Sequence, residues 1–180
     1  MTKPLEAILQ EVIDGRRPSR WVMRERPKID RIACPWAVPC FIDPDARILY
    51  APTEQVFETA AREVAVAFDI PCAPISHEGE LCSFDTLLKR FDLDKDPALA
   101  VLAPIVRGAD TDQHAIAPEA AGLHAISLGL ALNCDDDQAL LEQGMLIYDA
   151  LYAWATRARA SVMPEARPMS TCRSSFTCEG

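Results

Sequence analysis

The stretch Trp21–Trp36, WVMRERPKIDRIACPW, determines how the chain around it is organised. Its first part, Trp21–Arg26, has the character of a short strand, which Pro27 ends. From Ile29 onward, apolar residues recur at helical spacing, and Pro39 is expected to kink or shorten that helix. A strand that leads directly into a helix predicts mixed α and β structure at this point.

Helical periodicity dominates on both sides of this stretch. The same patterns predict one further strand and six further helices. The strand is Arg47–Ala51, and the helices are expected to begin near Leu5, Thr53, Ser83, Asp96, Pro118 and Ala139. The predicted fold class is therefore α+β and predominantly helical, with about seven helices around a small sheet of about two to four short strands.

A chain of 180 residues has the usual length of one domain. We expect an N-terminal helix and linker over residues 1–20 and the main domain over residues 21–160. Residues 161–180 are rich in Ser, Thr and Pro and have little periodicity, which predicts a flexible tail.

The charge is unevenly distributed along the chain. With 18 basic and 27 acidic residues the net charge is −9, so nucleic-acid binding by this chain alone is not expected. Between Arg16 and Arg31, however, seven basic residues accompany two acidic ones. This local charge of +5 has two interpretations, a solvated linker or a binding surface for anions.

The cysteines and the apolar runs indicate the compartment. There are seven cysteines but no CxxC pair, which favours reduced thiols over a zinc ribbon or a disulfide framework. No apolar run approaches the length that spans a bilayer, and the first residues do not have the pattern of a secretory signal. We therefore expect a cytoplasmic protein without membrane insertion.

Basic side chains flank the predicted strand end and helix start. Arg24, Lys28 and Arg31 lie there, and guanidinium groups together with free helix N–H groups form a natural receptor for a tetrahedral oxyanion. His77 is a further candidate, because histidine can hydrogen-bond an anion or change its charge near neutrality. Surface ion pairs with acidic neighbours are the alternative.

The segment SHEGELCSFD contains several types of metal ligand. Glu80 and Cys82 would point the same way in an extended segment, and a turn at Gly79 would bring His77 towards them. A divalent metal ion is therefore an alternative ligand. A plain loop histidine is the third interpretation.

The segment RGADTDQH is expected to be a loop. Asp110, Asp112 and His114 alternate there, so an extended backbone would place them on one side, and Asp110 is a candidate metal ligand. A charged loop in which Arg107 pairs with Asp110 explains the same residues.

Cys34 lies near a predicted helix start and beside basic residues. Such a setting lowers the pKa of a thiol, which makes Cys34 a candidate catalytic nucleophile or reductant. It also lies next to the apolar face that contains Ile32 and Trp36, so a buried structural thiol is the other interpretation.

The motifs in their order resemble the C-terminal domain of the chromate resistance ChrB family. The resemblance extends from about Trp21 to Trp154 and rests on WVMRERPKIDRIACPW, FIDPDARILY, FDIP, SHEGELCSFD, IVRGADTD, PEAAGLHAISLGL and GMLIYDALYAW. It implies a role in chromate resistance. Longer members have an additional N-terminal domain and are described as chromate-responsive regulators of a chromate efflux gene.

The resemblance also carries over residue by residue. The positions that match the family pattern are Arg24, Lys28, Asp30, Arg31, Cys34, His77, Glu80, Cys82, Asp85, Arg107 and Asp110. Among them, Arg107 joins the candidate oxyanion ligands. The chain departs from the family at Pro39, Cys40 and Glu78, where arginine is usual.

The favoured function is an oxyanion-sensing or oxyanion-binding module for chromate or a sulfate-like anion. A thiol- or metal-dependent redox or sulfur-transfer enzyme is one alternative, and a regulator of chromate efflux gene expression is another. The sequence favours binding over catalysis without deciding between them. A monomer and a homodimer both remain open.

Overall fold

A small parallel sheet surrounded by helices forms the framework of the protein. The computed structural model describes residues 4–111 and 113–160. The described α-helices and strands, in chain order, are α1 Leu5–Ile13, β1 Arg20–Arg24, α2 Asp30–Ala37, β2 Arg47–Ala51, α3 Val56–Glu63, β3 Val66–Ala67, α4 Ser83–Arg90, α5 Pro97–Asp110, α6 Ala120–Asn133 and α7 Asp137–Ala160. The predicted class, α+β and predominantly helical, is confirmed.

Strand β1 lies in the middle of the sheet. The strand order is β2-β1-β3 and both pairings are parallel, with Trp21 opposite Ile48 on one side and Val66 on the other. Because the strands are parallel, their carboxyl ends lie at the same edge. That edge receives Arg24 from the end of β1 and Asp69 from just beyond β3.

The main hydrophobic core lies between the sheet and helices α2, α4, α5 and α7. Trp21 and Trp36 are among its largest fully buried side chains. Helix α7 approaches α2 closely at Gly144, where an added Cβ would lie 2.6 Å from Ile32 Cγ2. The buried residues Ile8 and Leu9 of α1 belong to the same core.

The expectation of an extended loop over RGADTDQH was wrong. Helix α5 continues to Asp110, and a short 3₁₀ helix begins at His114. Asp110 and His114 therefore do not alternate along an extended backbone, and Asp112 lies outside the described residues. The pattern misled because the last turn of α5 contains the charged residues Arg107 and Asp110, although its buried positions continue to Ala109.

The first strand is also shorter than predicted. It ends at Arg24, and Arg26 adopts a left-handed backbone conformation with φ of 56°. The Arg26 guanidinium donates to the carbonyl oxygens of Cys134 and Asp135, at the end of α6. The guanidinium of Arg26 therefore binds the connection between α6 and α7, and Arg26 does not continue the strand that ends at Arg24.

Pro39 has the predicted effect on the helix that precedes it. Helix α2 ends at Ala37, and the chain continues as a π-helical turn over Val38–Ile42.

The predicted tail over residues 161–180 lies outside the described residues. Among the helices that the structure describes, none is both long and apolar enough to cross a membrane.

Candidate functional site

Four side chains from four segments converge at the carboxyl edge of the sheet. They are Asp30 at the start of α2, Asp69 just beyond β3, His77 in the loop before α4, and Asp110 at the end of α5. We call these four residues the site cluster. The β1–α2 connection, the chain beyond β3 and the packing of α4 and α5 against α2 bring them together.

Three carboxylates surround one nitrogen of the imidazole. His77 Nε2 lies 3.2 Å from Asp30 Oδ2, 3.2 Å from Asp110 Oδ2 and 3.6 Å from Asp69 Oδ1. That nitrogen bears at most one proton, which can point at only one acceptor. The hydrogen-bonding capacity of the three carboxylates therefore exceeds what His77 can supply.

The site cluster is buried on one side and open on the other. The side chain of His77 is 45% exposed, whereas those of Asp30, Asp69 and Asp110 are 2%, 5% and 15% exposed. The imidazole thus lies at the rim, with the carboxylates behind it. Solvent therefore meets the site cluster at the His77 side.

The electrostatics follow from this crowding of negative charge. Burial, and then the neighbouring charge of Asp69, raise the pKa of Asp30 to about 7. Hydrogen bonds to Asp110, Asp30 and Asp69 raise the pKa of His77 to about 12. Burial acts to raise the pKa of Asp69, but hydrogen bonds from His77 and Arg24 outweigh it and lower that pKa. At neutral pH the imidazole of His77 is therefore charged, and Asp30 is present in both its protonated and its ionised form.

Two of the predicted anion ligands are bound to an aspartate of the site cluster. Arg24 Nη2 and Arg31 Nε each lie 2.9 Å from the same atom, Asp69 Oδ2. The other oxygen, Asp69 Oδ1, accepts a hydrogen bond of 3.0 Å from Ser83 Oγ. The carboxylate is thus held in one orientation, with Oδ1 facing His77.

Helix α4 contributes its first turn to the site. The backbone N–H of Ser83 donates to Asp30 Oδ2 at 3.3 Å. Cys82 is the N-cap residue of α4, and Asp85 Oδ2 accepts from both the backbone N–H and the thiol of Cys82. Arg107 Nη1 pairs with Asp85 Oδ1 at 2.9 Å. Arg107 therefore stabilises the α4 cap and is not a member of the site cluster.

The fold brings together only two of the four residues that the sequence predicted as metal ligands. His77 and Asp110 do come together, but Glu80 is exposed in the loop and the Cys82 thiol is directed at Asp85. Sequence reasoning had not assigned ligand roles to Asp30 and Asp69. The available signal was their position in the PKID and FDIP motifs, which begin within three residues of the ends of β1 and β3.

Lys28 and Cys34 have local surroundings that differ from the site cluster. Lys28 is half-buried in the β1–α2 connection, and its carbonyl oxygen accepts from the backbone N–H of Arg31. Cys34 is buried, and this burial, followed by the charge of Asp30, raises the pKa of its thiol. The expected lowering of that pKa is not found, and the burial agrees with the structural-thiol interpretation. A catalytic role for Cys34 stays a prediction.

The site cluster has the composition and spacing of a cation site. Carboxylate oxygens of Asp30 and Asp69 and a ring nitrogen of His77 all lie within 4.8 Å of one another. Asp110 adds a third carboxylate at a comparable distance from the imidazole. Such ligands suit divalent ions that prefer oxygen and nitrogen.

Comparisons with known proteins give the family. The family described as ChrB, C-terminal domain, matches residues 21–155. Protein ChrB of Cupriavidus metallidurans strain CH34 is 35% identical over 133 residues, which cover 74% of this chain and 40% of that protein. The chain thus matches less than half the length of this curated relative. No solved structure matches the chain. Since the family match covers most of the sequence, the chain belongs to the ChrB C-terminal domain family.

Proposed function

We propose that this chain is a chromate-resistance domain that binds a divalent cation at the site cluster. The observation that carries the proposal is the convergence of three carboxylates on His77 Nε2, at 3.2 to 3.6 Å. The proposed ligands are Asp30, Asp69, His77 and Asp110. Two of them, His77 and Asp110, were also candidate metal ligands in the sequence.

Electrostatics support a cation at this point. Like charges this close, with little water around them, repel one another, and burial followed by this repulsion raises the pKa of Asp30. A proton on His77 offsets one negative charge and satisfies one acceptor. A divalent ion would neutralise two charges and would accept lone pairs from all four ligands at once.

The supporting structure around the ligands has the form expected of a metal site. Metal-binding carboxylates are commonly oriented by further hydrogen bonds. Here Arg24 and Arg31 fix Asp69, and the backbone N–H of Ser83 fixes Asp30. The ligands would therefore need little rearrangement to receive an ion, which favours binding.

Calorimetric titration with manganese(II) tests the proposal. We expect one ion per chain in the wild type, and an affinity at least about tenfold weaker in Asp110→Asn. Glu80→Gln is the matched control, because Glu80 lies in the same loop as His77 but is exposed outside the site cluster. Equal binding by the wild type and Asp110→Asn, or no binding by the wild type, would refute the proposal.

A tetrahedral oxyanion is the second candidate ligand. It is favoured by the convergence of two guanidinium groups on one atom, Asp69 Oδ2, and by Arg24 Nε, which is buried without a hydrogen-bond partner in the described part of the protein. However, both arginines are already paired with the carboxylate of Asp69, so an anion would have to displace it. This cost places the oxyanion second to the cation.

Titration with chromate and with sulfate separates the two candidates. If the oxyanion binds directly to the arginines, Arg31→Gln should abolish the binding heat without any metal present. Arg20→Gln is the control, because Arg20 pairs with Glu63 away from the site. Binding of chromate that is unchanged in Arg31→Gln would eliminate the arginines as its receptor.

The cellular setting of this activity is part of the proposal. We place the domain in the cytoplasm, in agreement with its reduced-thiol composition. Redox or sulfur-transfer chemistry at Cys34, and regulation of a chromate efflux gene, stay predictions from the sequence and from the family resemblance.

A further inference from the structure

Two buried thiols lie close to the site cluster without belonging to it. Cys82 directly precedes Ser83, whose backbone N–H contacts Asp30. Cys34 lies one helical turn after Asp30 on α2. Soft ions such as zinc(II) or copper(I) select thiolate ligands where these are in reach. Whether these two thiols are available as ligands therefore helps to determine which class of ion the site accepts.

Cys82 is committed to another partner. Its thiol donates to Asp85 Oδ2 at 3.3 Å, and Asp85 is in turn held by Arg107. Desolvation raises the thiol pKa of both Cys82 and Cys34. To bind an ion, Cys82 would have to lose its proton in a buried, acidic environment and leave the cap of α4.

The donors that do converge are predominantly oxygen. Three carboxylates prefer hard ions such as magnesium(II), calcium(II) and manganese(II). The single imidazole shifts this preference towards manganese(II) or iron(II), because magnesium(II) and calcium(II) take oxygen ligands almost exclusively. The donor set is thus intermediate between a calcium cage and a zinc site.

The site cluster meets solvent at the exposed side of His77. The exposed edge of His77 forms the rim, while Asp69 offers only Oδ1, since Asp69 Oδ2 is held by Arg24 and Arg31. Four protein donors, each contributing one atom, do not fill the coordination shell of an ion that prefers six ligands. Solvent at the rim can supply the remainder.

We infer that the site takes a manganese(II)-type ion, with oxygen and nitrogen ligands, a coordination number above four, exchangeable water at the His77 side and no thiolate. This inference rests on the proposed function and deepens it. Exchangeable positions are typical of metal sites that bind further ligands, whereas structural zinc sites are closed by four protein ligands.

Cobalt(II) substitution tests the inference, since affinity alone would favour zinc(II) at almost any such site. The absorption of cobalt(II) is weak in six-coordinate and strong in tetrahedral surroundings, and thiolate ligands add an intense near-ultraviolet band. We expect weak visible bands, no thiolate band, and an unchanged spectrum in Cys82→Ser. At equal, subsaturating cobalt(II) concentration, the Asp110→Asn variant should give a weaker bound-ion spectrum than the wild type.

The outcomes separate this inference from the proposed function. Strong tetrahedral bands, or a thiolate band that disappears in Cys82→Ser or Cys34→Ser, would overturn the inference while leaving a metal site in place. Absence of any bound cobalt(II) in the wild type would overturn both. An Asp110→Asn spectrum identical to that of the wild type would place the ion elsewhere and likewise contradict both.

Discussion

Asp43 and Asp30 are two buried aspartates of one chain with opposite electrostatics. Both side chains are almost fully buried, at 1% and 2% exposure. Asp43 accepts hydrogen bonds from the backbone N–H and the hydroxyl of Ser19 and from the backbone N–H of Asp45. Although burial acts to raise the pKa of Asp43, these donors lower it below its ordinary value. The pKa of Asp30 is raised to about 7 instead.

The opposite pKa shifts indicate different roles for the two carboxylates, structural for Asp43 and functional for Asp30. Asp43 ties the start of β1 to the chain before β2, and its charge is stabilised by donors that the fold itself supplies. Asp30 is buried and faces two further carboxylates, and these effects outweigh the hydrogen bonds that it accepts from Ser83 and His77. A buried carboxylate whose pKa is raised by burial and by neighbouring charges is typical of a functional site, and the proposed cation would offset those charges.

The largest effect on stability is expected for Asp43→Ala. The substitution leaves the buried backbone N–H and hydroxyl of Ser19 without their acceptor, so we expect a loss of about 3 kcal/mol in the free energy of unfolding. Urea unfolding measures it. Asp45→Ala is the control, because it removes only an exposed side chain. Equal stabilities of the two variants would mean that Asp43 is not structural.

Asp30→Asn should have the opposite sign. Removing a charge that the fold disfavours is expected to increase the free energy of unfolding by about 2 kcal/mol at pH 8 in the absence of metal. The same substitution should abolish cation binding. Asp94→Asn, at an exposed position, is the control for the change in net charge. A destabilised Asp30→Asn variant would show that Asp30 is structural, like Asp43.

The pH dependence of stability should separate the two aspartates. Folded Asp30 keeps its proton up to about pH 7, whereas the unfolded residue loses it near pH 3.8, so its contribution to stability falls as the pH rises between these values. Asp43 has a lowered pKa, so its contribution is present above pH 3.8 and is lost as the pH falls below it.

Unfolding free energies of the wild type, Asp30→Asn and Asp43→Ala from pH 3 to pH 8 test these signs. The difference between the wild type and Asp30→Asn should change mainly between about pH 4 and pH 7. The difference from Asp43→Ala should change mainly at the acid end. Parallel curves for all three proteins would contradict the opposite pKa shifts.

The smallest effect is expected for Glu80→Gln. Glu80 was a candidate metal ligand in the sequence, but it is exposed in the loop and outside the site cluster. We expect its manganese(II) affinity and its stability to equal those of the wild type, within about 0.5 kcal/mol. A loss of binding comparable to that of Asp110→Asn would return Glu80 to the site.

Much of the fold could be predicted because local patterns determine it. Apolar spacing identified α1 and the helices that follow, and Pro39 marked the end of α2. The end of α5 could not be predicted, since its last residue is the charged Asp110, which local pattern assigns to a loop. Backbone hydrogen bonds and packing against α6 continue the helix to that residue.

The site cluster was only partly predictable for a related reason. His77 and Asp110 were recognised by residue type, but the residues that join them come from distant segments. Asp69 lies 39 positions after Asp30, and only the parallel pairing of β1 with β3 brings the two to one edge. Likewise, the sequence could not show that Arg24 and Arg31 are bound to Asp69 rather than free for an anion.

Proton release on cation binding tests the central claim most directly. At pH 7.5 the imidazole of His77 carries a proton, because its pKa is raised to about 12, and an ion that takes Nε2 as ligand must displace it. Manganese(II) titrations in two buffers with different ionisation enthalpies measure this release. We predict about one proton or more released per ion bound in the wild type, and about one proton fewer in His77→Gln. Binding without proton release in the wild type would contradict a cation site built on the site cluster.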